Sequence, residues 1–193
     1  MKDNGLLVQY FTANTTDSQD LWKKAAEDAA VLKKMGATAV WFPPATKGAQ
    51  GKEDMGYAPY DLYDLGEFDQ KGSVGTRYGT KDEYIAAIKA MKDQGINVYA
   101  DIAVRQKLGA DRIEKVTAAD FNTKDIPQMI GNKKTVGALS KFTFPGRKSK
   151  YSKFKWNWKH FAGIDWKQEE FKKRVCALEG KDYDEADKEY SKY

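Results

Sequence analysis

Three short, near-continuously apolar runs, at residues 6–11, 39–42 and 97–102, are separated by helical patterns, and that alternation constrains this fold most. Apolar runs of this length read as strands covered on both faces, and strands alternating with helices read as βαβ units of a parallel sheet. Between the first two, Asp17 or Ser18 can cap a helix that runs to about Met35. Its Leu21, Trp22, Ala25, Ala29 and Leu32 recur at three- and four-residue spacing, so one stripe faces a core. Gly36 supplies a left-handed stop, and Pro43-Pro44 end the second strand because proline cannot donate to a ladder. Thr80-Lys81-Asp82-Glu83 reads as a capping box opening a second helix, with Tyr84, Ile85, Ile88 and Met91 on one face and Gly95 at its end.

The segment 45–79 is rich in Gly, Tyr and Asp without a sustained period, and a connection that long is expected to carry function. After Lys107 the sequence turns polar and irregular, with β-like pieces such as Lys141-Phe142-Thr143-Phe144. A boundary is therefore expected there, giving a region 1–106 and a β-rich region 107–193. No stretch approaches the roughly 20 apolar residues of a membrane span, and the start lacks the apolar run of a signal peptide, so a cytoplasmic address is expected and a membrane is not. The lone Cys176 reads as an inert thiol and the lone His160 as structural. The charge of +5 is mild. The basic and aromatic run 148–173 has no accompanying nucleic-acid motif, so nucleic acid is not an expected partner.

At Gly56-Tyr-Ala-Pro-Tyr-Asp-Leu-Tyr-Asp-Leu-Gly-Glu-Phe68, Asp69-Gln-Lys-Gly and Arg77-Tyr-Gly-Thr-Lys81 the chain resembles the α-amylases of glycoside hydrolase family 13, of the bacterial liquefying and cytoplasmic type. The likeness extends to Gln9-Tyr10-Phe11, Ala39-Val-Trp-Phe-Pro-Pro44, Phe144-Pro-Gly-Arg147 and Tyr151-Ser-Lys-Phe-Lys-Trp-Asn-Trp158, in the family's order. The resemblance implies an α/β fold: strands 1–3 of a (β/α)8 TIM barrel, a β-rich domain B inserted after the third strand, and a catalytic cleft between them. Such a barrel takes about 250 residues, so it is expected to be incomplete within these 193. The same resemblance makes Tyr57 the aromatic platform for a sugar ring, puts Gln9 near the cleft floor, and has Asp101 brace the site at the end of the third strand. From spacing alone, Tyr57, Tyr60 and Tyr63 also fit plain packing of the long loop.

The family pattern is altered at several functional positions. Retaining glycosidases use two carboxyl groups about 5 Å apart, and the resemblance implies that these, with a third acid, follow strands four, five and seven, after domain B. No catalytic residue is expected in this chain. Asp101-Ile-Ala-Val-Arg105-Gln106 carries Gln106 where the family has a sugar-binding histidine and Arg105 where it has a calcium-binding asparagine. Ala162 stands where a metal-binding aspartate is implied, and Ala13 where a cleft tryptophan is. No calcium site of the family type, and no other cofactor, is expected. Asp184 matches a further ligand position, with Asp182, Asp184 and Asp187 read alternatively as a solvated acidic tail. Asp54, Asp61, Asp64 and Glu67 lie near the implied cleft, and the group 61–67 is expected to support loops.

The expected function is therefore an N-terminal fragment or degenerate homologue of an α-amylase of the starch class, inactive alone. The alternative is a non-catalytic glucan-binding module using Tyr57, Gln106, Trp156 and Trp158. Against the latter, the i, i+2 spacing of the tryptophans would put both on one strand face, in a core. Expected partners are an α-glucan and either a second copy or another chain that completes the barrel, since open parallel edges invite pairing.

Overall fold

The computed structural model describes residues 5–12, 18–122, 128–167 and 172–180. The expectations placed on Ala13, Asp17, Asp182, Asp184 and Asp187 lie outside the described residues. The chain forms two compact units, one of Met1–Gly109 with Phe144–Lys153, the other of Ala110–Thr143 with Phe154–Tyr193. Thus residues 144–153, placed by the sequence reading in the second region, return to the first. Among the described residues no helix is long and apolar enough to cross a membrane.

The first unit contains β1 (Leu7–Gln9), α1 (Leu21–Lys34), β2 (Ala39–Phe42), β3 (Lys47–Gly48), β4 (Pro59–Asp61), α2 (Lys81–Asp93) and β5 (Asn97–Ala100). β1, β2 and β5 form a parallel sheet in the order β1-β2-β5, with Val8, Val40 and Val98 in register. That row faces both helices, in a core of Trp22, Ala25, Ala29, Leu32, Phe42, Tyr78, Tyr84, Ala87, Met91 and Ile96. Successive strand residues alternate faces, so the row Gln9, Trp41 and Tyr99 lies on the opposite side. Coverage of both faces, expected for the first strand, does not hold there: the Val8 face packs on the core while Leu7 and Gln9 on the other are exposed. Leu7 is 55% and Tyr99 60% exposed on the two edge strands, because no described element lies over that face.

α1 begins at Leu21 behind Asp20, whose side chain makes no capping bond; Asp20 instead accepts from Ser18 and pairs with Lys24 one turn on. Ser18 is therefore not the cap. Gly36 ends the helix at φ +90°, as its type suggests. The box at α2 is complete: Glu83 N donates to Thr80 Oγ1 at 3.4 Å and Thr80 N to Glu83 Oε2 at 2.8 Å. Thr80→Ala is expected to lower stability by about 1 kcal/mol, measured by chemical denaturation. The buried stripe of α2 is Tyr84, Ala87 and Met91, with Ile88 half-buried, and it leaves Ile85 exposed.

The second unit is an antiparallel sheet of β6 (Arg112–Asn122), β7 (Gln128–Lys141), β8 (Gly163–Lys167) and β9 (Lys172–Leu178), ordered β7-β6-β9-β8. Where the sequence reading expected irregular chain with short β pieces, β6 and β7 pair over most of their length. Alternation decides it: Val116 and Ala118, Val136 and Ala138 point inward with Cys176 and Leu178, with Thr117 and Gly137 between them. β7 stops at Lys141, and Phe142 and Phe144 are buried beyond it, outside any strand. Trp158 opens a 3-10 turn, Trp158–His160, so it and Trp156 do not share a strand face. Trp158 packs on this core, whereas Trp156 meets Phe154, His160 and Phe161 edge-on or tilted. Asn157 N donates to His160 Nδ1 at 3.0 Å, which gives the lone histidine a structural role. Cys176 is buried, with Sγ 3.6 Å from Asp120 Oδ1.

Candidate functional site

The long segment between β2 and α2 holds its shape by directing buried carboxylates at its own backbone. Asp54 accepts from Gly56 N at 2.8 Å and from Gln50 N and Ala58 N at 3.4 Å. Asp64 Oδ1 accepts from Gly66 N and Glu67 N at 2.9 Å and Phe68 N at 3.3 Å. Asp61 Oδ2 accepts from Arg147 Nε at 2.7 Å and, like Asp64 Oδ2, from Gln70 Nε2 at 3.0 Å. The expectation that this group supports loops agrees with that geometry: lone pairs turned on amides replace water inside the loop. Arg147 Nη1 also donates to Lys150 O at 2.7 Å and Ser152 O at 2.9 Å, which ties residues 144–153 into the first unit.

Glu67 sits outside this buried set and receives hydrogen bonds from Lys150, Lys81 and Tyr151. Those donors, Lys150 first, pull its carboxyl from the ordinary 4.5 down to about 2. With the folded value below the unfolded one, its contribution to stability is complete above about pH 4.5 and fades as pH falls towards about 2. Glu67→Gln is expected to remove part of the acid-side loss of stability in that window, measured by denaturation at each pH.

Tyr57 is carried at the tip of the β3–β4 excursion. Gly56 before it takes φ +92°, and a Cβ there would lie 2.6 Å from Pro44 Cβ and 2.7 Å from Pro44 O, so only glycine allows the loop to close on the end of β2. The Tyr57 ring is 40% exposed, and its hydroxyl donates to Asp101 Oδ2 at 2.7 Å. Burial first, then that hydrogen bond and the Asp101 charge, raise the phenol pKa, so it stays protonated as a donor. Asp101 is placed at the C-terminal end of β5 by its own N–H, which donates to Phe42 O at 3.1 Å. Gln106 Nε2 donates to Tyr57 O at 2.8 Å.

Three of the four singled-out residues thus converge: Tyr57, Asp101 and Gln106. Asp101 braces the ring, and the Gln106 amide reaches the backbone of the platform residue. Gln9 stands apart, exposed on β1, its Nε2 donating locally to Phe11 O at 3.0 Å. Arg105 and Ala162 are both exposed. The sequence reading missed Lys47 and Arg147 as organising residues. A lysine and an arginine inside otherwise apolar or Gly-rich motifs were the available signals, and their partners are distant in sequence.

Over 181 residues, 94% of its length, the chain is 46% identical to the α-amylase of Bacillus licheniformis, of which it covers 35%. It is 46% identical to the α-amylase of Geobacillus stearothermophilus over 92% of the chain and 32% of that protein. To the cytoplasmic α-amylase of Escherichia coli (strain K12) it is 42% identical over 84% of the chain and 33% of that protein. The chain therefore spans about a third of the length of the curated relatives it matches. No family model matches it. Among solved structures, the truncated alternansucrase from Leuconostoc mesenteroides NRRL B-1355 superposes with a TM-score of 0.58 over 76% of this chain and 14% of that one, at 21% identity, a likeness of fold.

Proposed function

Because this chain belongs to the α-amylase family of glycoside hydrolases, we propose that it is the N-terminal portion of an amylase-like barrel, silent as a catalyst by itself, with Tyr57 as its sugar platform. On this reading β1, β2 and β5 are the first three strands of a (β/α)8 barrel and the four-stranded unit is domain B. The observation that carries it is the Tyr57–Asp101 hydrogen bond at the C-terminal end of β5, the end where such barrels place their reactive groups. An exposed ring fixed at its hydroxyl presents a rigid apolar face to the C–H face of a sugar at little entropic cost.

Chemistry is a different matter, since retaining hydrolysis needs an acid and a nucleophile about 5 Å apart. Asp54, Asp61 and Asp64 are engaged by backbone amides, Gln70 and Arg147, and Asp101 by Tyr57. Asp61 and Asp64 share the Gln70 donor, and these hydrogen bonds support a reading of the group as loop braces. The residues at the implied calcium positions do not suit that ion either: Arg105 is a fixed cation, and Ala162 offers no side-chain oxygen. The described residues contain no group of three or more His, Cys, Asp or Glu able to hold a metal. A cytoplasmic address is part of the same reading, supported by the likeness to the cytoplasmic enzyme of Escherichia coli.

The purified chain is expected to release no reducing sugar from starch or maltooligosaccharides. Hydrolysis that disappears in Asp101→Asn would overturn the assignment. The alternative, a glucan-binding module, is favoured by the exposed Tyr57 ring and separates cleanly. Retarded migration in a native gel containing starch, lost in Tyr57→Ala, supports it; unchanged migration of the parent chain removes it. Among the described residues, a sheet face without a covering element and outer edges of β1 and β5 without a neighbouring strand further support a partner that completes the barrel, either another chain or a second copy. Size-exclusion chromatography distinguishes a self-associated form from a monomer.

A further inference from the structure

The least expected group in the first unit is the ammonium of Lys47, which is wholly buried. Its backbone is fixed at β3, where Lys47 N donates to Asp64 O at 2.7 Å. Its Nζ donates to Ser73 O and Val74 O at 2.6 Å, with Phe68 O and Gly75 O at 3.3 Å. The carboxylate oxygen Asp64 Oδ2 is 3.7 Å away and already accepts from Gln70. Stripping water from an ammonium costs several kcal/mol, and here the replacement is a set of main-chain carbonyls rather than a contact ion pair.

Those carbonyls belong to one short stretch bent to bring them together. Lys71 at φ 55° and Gly72 at φ 78° reverse the chain, Gln70 and Ser73 bridge across the turn, and Ser73 Oγ donates to Gly75 O at 2.7 Å. Carbonyl oxygens converging on one dehydrated point are the means by which proteins coordinate monovalent cations such as potassium. The surrounding charges fit one such cation. Asp61 is matched by Arg147 at 2.7 Å, and the Asp64 and Asp69 carboxylates supply further negative charge that acts on Nζ.

We propose that residues 68–75 form a monovalent-cation cage whose resident ion is the tethered ammonium of Lys47. The loop leading from Tyr57 to α2 is then ordered by a cation the chain supplies itself, independently of dissolved salt. This goes beyond the glucan reading and does not depend on it.

Removing the tether while leaving the carbonyls turns the cage into a site for a dissolved ion of similar size and charge. Lys47→Ala is expected to melt lower than the parent, and to recover in ammonium or potassium chloride but not in tetramethylammonium chloride at equal ionic strength. Lys47→Met, which fills the space without charge, is expected to recover in none of them, and the parent to respond to all three alike. Equal response of Lys47→Ala to the three salts overturns the cage and leaves Lys47 an ordinary buried lysine. The parent chain provides an independent reading should the alanine variant fail to fold in every salt. With 15N-labelled lysine, the Lys47 ammonium protons should exchange with water far more slowly than those of surface lysines. Exchange at the surface rate overturns the proposal.

Discussion

Arg147→Ala is expected to lower the stability of the first unit by about 3–5 kcal/mol, the cost of leaving a buried charge without its partner. The guanidinium is buried and serves three acceptors and two aromatic rings at once. Nε reaches Asp61 Oδ2 at 2.7 Å, Nη1 reaches Lys150 O and Ser152 O, and the plane lies 4.7 Å from the Phe144 ring centroid and 5.2 Å from that of Tyr63. Truncation strands the Asp61 carboxylate in an interior where Gln70 and the Tyr63 amide still donate to it but its guanidinium partner is gone. It also releases two carbonyls of the returning segment. Lysine is a poor substitute, because one ammonium cannot reproduce a planar fork that bonds in two directions. Arg147→Lys should therefore recover little. Combining Arg147→Met with Asp61→Asn removes both charges and should restore much of the loss, since a buried pair replaced as a pair is often near neutral. Urea denaturation followed by tryptophan fluorescence reads all four chains. Equal losses for the single and double variants would assign the effect to packing of the arginine stem instead. Against the 5–15 kcal/mol that holds a typical domain, the expected loss puts folding of the unit near its limit.

The same arginine shows where sequence reasoning stops. Local signals served well: the runs around Val8, Val40 and Val98, the stripe from Trp22 to Leu32 and the box at Thr80 are all set by residues within one or two turns of each other. β6 and β7 were obscured because polar and small residues such as Lys115, Thr117, Lys134 and Gly137 interrupt the apolar ones, although the alternation of Val116 with Ala118 and Val136 with Ala138 was there to read. Arg147 and Asp61 are 86 positions apart, and nothing in either motif announces the other. Gln106, expected to contact a sugar, donates its Nε2 to the Tyr57 carbonyl, a bond to a residue 49 positions away. Its spacing from Asp101 fixed its neighbourhood but not its direction. Lys47, with no apolar period or charged neighbour to mark it, shows its role only once the carbonyls of residues 68–75 are folded around it.

Trp22→Ala should cost as much as the arginine change, about 3–5 kcal/mol, for a purely apolar reason. Trp22 is fully buried at the start of α1, with ring centroids 5.3 Å from Phe42, 5.5 Å from Tyr78 and 4.7 Å from Tyr84. It joins the sheet, both helices and the end of the long loop, since its backbone N–H also donates to Tyr78 O at 3.1 Å. Alanine leaves a cavity walled by aromatic rings that cannot collapse together without moving α1. Its Nε1 is buried with no hydrogen-bond partner among the described residues. Trp22→Phe should accordingly cost less than the loss of volume suggests, because it also deletes an unsatisfied donor. Tyr99→Ala provides the contrast, removing an aromatic of comparable bulk from the opposite face of the same sheet. There the expected change is within about 0.5 kcal/mol, as for a surface residue, because Tyr99 is 60% exposed. The pair of measurements therefore reads the sheet one face at a time. A loss for Tyr99→Ala that approaches the Trp22 value, and grows with protein concentration, would mean that a second copy covers the face in solution. A small, concentration-independent change leaves that face open, as the barrel reading requires of three strands without their neighbours.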